Sequence, residues 1–183
     1  MENKTLNTIQ LFAKIGRVLC KIVFILSIVG AASCVIGIAS LAVGTTEVLK
    51  IGGVTIHGLI EKSAEMSMGT MYTSMTVGWI FCMGEIFVAK IAEKYFKHEI
   101  EAGTPFTLDG AKEMLKLGLV SVCISVGSKI IAEIAYFTMS RSLSDVAEMN
   151  LGDYSSVSLG ITFILVSFLC RYAAELQNDR HVD

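Results

Sequence analysis

Lys129 and Glu133 stand four residues apart inside the apolar run from Met114 to Met139, MLKLGLVSVCISVGSKIIAEIAYFTM, with Ser125 one turn before Lys129. A second apolar run, residues 71–91, encloses Glu85. An ionisable side chain near the centre of a bilayer costs roughly 2.5–3.5 kcal/mol even on the lenient insertion scale, so these groups are expected to turn away from lipid. Spacing of four puts Lys129 and Glu133 on one helix face, where they are the natural pair. Glu85, Ser125, Lys129 and Glu133 therefore form a candidate intramembrane polar cluster. Buried charges of this kind mark ion or proton paths, and opposite charges one turn apart also serve to lock helix packing.

Other chemistry has little to stand on. No Ser-His-Asp arrangement, glycine-rich phosphate loop or metal-ligand cluster occurs at a spacing that catalysis needs, so no catalytic residue, metal or cofactor is expected and the chain reads as a non-enzyme. His57, His98 and His181 lie on separate polar segments. The five cysteines, at 20, 34, 82, 123 and 170, fall in or beside apolar runs with no C-x-x-C, the pattern of free buried thiols. No basic stripe with interleaved aromatics is present, which argues against direct binding of nucleic acid.

The elements that must position these residues are membrane helices. A chain of 183 residues that is 53% hydrophobic and 17% charged is too apolar for an ordinary soluble domain. Four runs are long enough to cross a bilayer, at about 18–43, 71–91, 114–139 and 151–170, predicting a single all-α domain of four transmembrane helices over residues 1–183. Residues 1–17 carry an amphipathic pattern that leads straight into the first span. The basic start also fits a signal peptide, but the apolar run continues nine residues past Cys34, so an uncleaved anchor is expected. Small residues recur on two helices, Gly30, Gly37 and Gly44 on the first span and Gly118, Ser121, Ser125, Ser128, Ala132 and Ala135 on the third, as close helix packing requires.

Three connections join the spans. Residues 47–57 place β-prone runs on either side of Gly52-Gly53, predicting a small extracellular β-hairpin, followed by a turn or two of helix from Leu59 to Met68. Between spans two and three, Gly103 can end one helix, Pro105 disfavours helix at Thr104, and Thr107 can cap the next helix with Asp109 in its first turn. The fourth span is short if it starts at Val157, so an earlier start near Leu151, or snorkelling by Arg171, is expected. Lys and Arg number eleven around the two termini and the Pro105 connector against three in the other loops, setting Lys129 aside. That asymmetry puts both termini and the connector in the cytoplasm, with the protein in the plasma membrane.

Two passages carry a resemblance. Gly103-Thr104-Pro105-Phe106-Thr107 and the closing Arg171-Tyr172-Ala173-Ala174-Glu175-Leu176-Gln177 are similar to the bacterial inner-membrane proteins grouped as domain of unknown function 2975 (DUF2975). The similarity is best over roughly residues 99–177, and the amino-terminal half matches in layout more than in residues. The family has no established activity, and its members are often encoded beside small helix-turn-helix regulators. The resemblance therefore implies a regulatory role and a helix-turn-helix protein as partner, and assigns no role to Lys129 or Glu133.

Together these readings predict a regulatory or interaction protein acting through Gly103, Thr104, Pro105, Phe106, Thr107, Arg171 and Glu175 at its cytoplasmic face, in contact with membrane lipids and able to form homo-oligomers. The alternative is an oligomeric transporter or channel built around Glu85, Lys129, Glu133 and Ser125.

Overall fold

A computed structural model describes residues 2–43, 67–103, 107–149 and 155–179. These form four helices: α1, Glu2–Val43; α2, Met68–Ala102; α3, Leu108–Ser142; and α4, Ser155–Asp179. Each holds a stretch long and apolar enough to cross a bilayer, which makes the chain a multi-pass membrane protein. The amphipathic start and the first span are one unbroken helix, as their run of pattern predicts. At about 1.5 Å per residue, the 35 residues of α2 extend about 52 Å, well beyond a hydrocarbon core of about 30 Å. The apolar run of α2 ends near Ile91, so its last turns project into water. Among the described residues the apolar stretch of α4 covers Val157–Leu176, with Arg171 inside it, and the expected start near Leu151 lies outside them. The described residues are helix and turn without strand; the expected hairpin at 47–57 lies outside them, as does all but the end of the helix expected from Leu59.

The chain forms two compact units. The first comprises Met1–Leu26, Gly84–Gly127 and Asp153–Asp183; the second comprises Ser27–Met83 and Ser128–Gly152. In the first unit, buried Ala92, Tyr95 and Leu117 form a core against which Cys20, Ile91, Phe96, Met114 and Phe163 pack. The rings of Tyr95 and Phe96 meet edge to face at 5.3 Å, and the Phe96 ring lies over Gly16 of α1. Helices α3 and α4 touch through glycine on both sides. A Cβ on Gly118 would stand 2.8 Å from the Gly160 carbonyl oxygen, and one on Gly160 would stand 3.0 Å from the Gly118 carbonyl oxygen. That is the backbone approach that small-residue stripes permit in lipid.

In the second unit α1 meets α2 the same way. Gly30 faces the Cys82 sulfur, Gly37 faces the Met75 thioether and Gly78 faces the Cys34 sulfur. Ser67 caps α2, its Oγ accepting from the Thr70 N–H at 3.3 Å. The same end is tied to the turn after α3: Ser67 Oγ donates to the Asp145 carbonyl, Thr70 Oγ1 donates to that oxygen at 3.1 Å, and Ala147 N–H donates to Thr70 Oγ1 at 2.8 Å. Asp145 has φ 65°, a left-handed conformation its short polar side chain tolerates.

Many large apolar side chains remain exposed, among them Leu11, Phe12, Leu26, Ile131, Ile134 and Leu169. On a water-soluble protein so much exposed apolar surface is an aggregation liability; on membrane helices it is the lipid-facing surface. None of the five cysteines is bridged, and Cys170 is buried while Cys123 is exposed.

Candidate functional site

The connector between α2 and α3 is built by the residues that predict it. Gly103 ends α2 at φ 76°, its N–H donating to the Glu99 carbonyl at 3.1 Å. Thr107 starts α3, its Oγ1 accepting from the Gly110 N–H at 2.9 Å. Gln10 of α1 reaches the same place, donating from Nε2 to the Gly103 carbonyl at 3.2 Å. Thr104, Pro105 and Phe106 lie outside the described residues. On α4, Arg171 Nε is 2.9 Å from Glu175 Oε1, an exposed pair one turn apart.

Beside this connector the projecting end of α2 and the first turns of α3 enclose a cavity of about 190 Å³, lined chiefly by Tyr95, His98, Glu99, Thr107, Asp109 and Glu113. His98 Nδ1 lies 2.9 and 3.1 Å from the two carboxylate oxygens of Glu113, joining the helices across the mouth. Tyr95 is buried, and its hydroxyl donates to the Glu99 carboxylate. Burial pushes the Glu99 carboxyl above its ordinary range, and the Tyr95 hydrogen bond pulls it partly back. Burial and the adjacent Glu99 carboxylate in turn push the Tyr95 phenol far up, so it stays a hydrogen-bond donor. Asp109 is exposed at the rim, with Lys112 3.4 Å away on the next turn of α3.

The notch thus presents carboxylates to water, with the buried Tyr95 phenol holding Glu99 from behind. It suits a cationic or hydrogen-bond-donating group, such as a Lys or Arg side chain. Among the described residues no set of three His, Cys, Asp or Glu side chains is placed to hold a metal ion.

The intramembrane candidates lie on α2 and α3. Lys129 is half-buried, but Glu133 is exposed on α3 beside the exposed Ile130, Ile131, Ile134 and Phe137, so the two are not enclosed together. Glu85 is exposed on α2. Ser125 turns its hydroxyl to its own helix, donating to the Ser121 carbonyl at 2.7 Å.

Sequence reasoning passed over Tyr95, His98, Glu99 and Glu113. The signal was present: Tyr95, His98, Glu99 and Ala102 recur at three- and four-residue spacing immediately beyond the apolar run of α2. His98 looks isolated along the chain because Glu113 lies on the far side of the connector. No family model, no curated protein and no solved structure matches this chain.

Proposed function

We propose that this protein is a non-catalytic membrane interaction protein that offers the α2–α3 connector and the acidic notch beside it, on the cytoplasmic side, to a partner carrying basic side chains. The observation that carries this reading is the notch itself. It gathers Tyr95, His98, Glu99, Asp109 and Glu113 at the end of α2, beyond the apolar run that closes near Ile91. The excess of Lys and Arg around this end and the termini supports a cytoplasmic placement. The likeness of the connector and of Arg171–Gln177 to DUF2975 adds a regulatory context, with a helix-turn-helix protein as the partner to look for first.

Crosslinking of the tagged protein in its native membrane, followed by mass spectrometry, tests the reading. A partner lost on Asp109→Lys with Glu113→Lys, and retained when Lys116 is changed to Ala, is the expected result. Recovery of the same proteins with the charge-reversed variant would overturn it. Permeation through an oligomer has weaker support, because Ser125 is committed to its own helix and Glu133 stands among exposed isoleucines. Equal liposome flux for the wild type and Lys129→Ala with Glu133→Ala would remove it.

A further inference from the structure

A second cavity, of about 300 Å³, lies where the amphipathic start of α1 becomes the first span. It is lined by Lys14, Arg17, Val18, Lys21 and Ile100. Spacings of three and four bring Lys14, Arg17 and Lys21 to one face of α1, and Ile100 of α2 closes the other wall. Lys21 shares its charge with Glu93, its Nζ 3.8 Å from Oε1. The Arg17 Nε is buried and has no hydrogen-bond partner among the described residues. A buried guanidinium N–H without an acceptor is a costly arrangement that native structures resolve with a ligand, water or ion. The surroundings decide which. Leu11, Phe12, Ile15, Val18, Leu19 and Ile22 are all exposed on the same turns of α1. This apolar belt places the three basic groups at the depth of lipid headgroups, with hydrocarbon directly beneath.

We propose that this groove binds the phosphate of an anionic phospholipid. Arg17 donates through Nε and the rest of its planar fork to the phosphate oxygens, Lys14 and Lys21 flank it with point charges, and Val18 and Ile100 receive the apolar part of the lipid beneath the headgroup. The site lies apart from the acidic notch and does not depend on the role assigned to it.

Native mass spectrometry of the full-length protein in mild detergent, titrated with phosphatidylglycerol or phosphatidylcholine, tests the proposal. One phosphatidylglycerol per chain is expected to be held in preference to phosphatidylcholine. Arg17→Gln and Lys14→Gln are each expected to weaken it about fivefold, the worth of one basic group at an anionic surface. Lys116→Gln, exposed on α3, should leave it unchanged. Equal retention of the two lipids, or unchanged phosphatidylglycerol affinity in Lys14→Gln, would overturn the proposal even if Arg17→Gln fails to fold. Displacement of the lipid by millimolar inorganic phosphate would show that a soluble anion is the ligand and overturn the lipid assignment.

Discussion

Replacing Gly118 with alanine puts a methyl group where the structure has no room for one. Its carbon would lie 2.8 Å from the Gly160 carbonyl oxygen, 2.9 Å from the Ile164 backbone nitrogen and 2.7 Å from Ile164 Cγ1. Ordinary contacts stand at about 3.5–4.0 Å, so the deficit is close to 1 Å. Ile164 can move its side chain, but the two backbone atoms move only if α3 and α4 separate. A gap of about 0.5–1 Å forfeits a quarter to a half of each dispersion contact along the crossing. Overpacking of this kind costs about 1–3 kcal/mol. Alanine returns about 0.5–1 kcal/mol through its better helix propensity, leaving a net loss of up to about 2.5 kcal/mol. Gly127, nine residues along the same helix, has nothing within 4 Å of the equivalent position. Gly127→Ala therefore keeps the propensity gain without the clash, and the difference between the two variants isolates the close approach at about 1–3 kcal/mol. Titration of both purified variants with SDS in mixed micelles, followed by circular dichroism, measures it. If Gly118→Ala and Gly127→Ala unfold at the same SDS fraction, α3 and α4 do not meet through glycine and the packing argument fails.

Three further outcomes are expected. Because the folded Glu99 carboxyl titrates above its ordinary value of 4.5, its stability contribution is complete below that value and declines as pH rises through the raised one. Glu99→Gln should flatten this decline, so thermal melts of the two proteins should agree at the acidic end and diverge in the variant's favour as pH increases. Ser67→Ala removes the α2 cap and its link to Asp145, and should cost about 1–2 kcal/mol in the same SDS titration. Arg171→Ala breaks only an exposed one-turn pair, and its loss should stay within about 0.5 kcal/mol; a larger loss would mean that Arg171 holds the fold by other contacts.

Local chemistry made the connector legible in the sequence. Gly103 stops α2 and Thr107 caps α3 because each acts on backbone groups within four residues of itself, and no tertiary information is needed to say so. The four spans were legible because hydrocarbon accepts only backbone that satisfies itself, which makes length and apolarity nearly sufficient. The fourth helix continues through Arg171 to Asp179, as an apolar stretch that ends on a snorkelling basic side chain allows. Less can be read from the spacing of Lys129 and Glu133. Spacing of four fixes a shared face but does not say which face the other helices cover, and Glu133 stands exposed. The acidic notch needed two helices at once: half of it comes from α2 and half from α3, and only packing brings His98 to Glu113.

The glycine contact between α3 and α4 also has a history in time. Gly160 leaves the ribosome 42 residues after Gly118, which at roughly 5–20 residues per second is an interval of about 2–8 s. Residues 119–142 complete α3 within that interval, and until Gly160 follows, the bare backbone at Gly118 has no α4 to cover it. The chain is thus most vulnerable to mispairing during its own synthesis, and a nascent chain stalled before α4 should be captured by neighbouring helices where the completed protein is not.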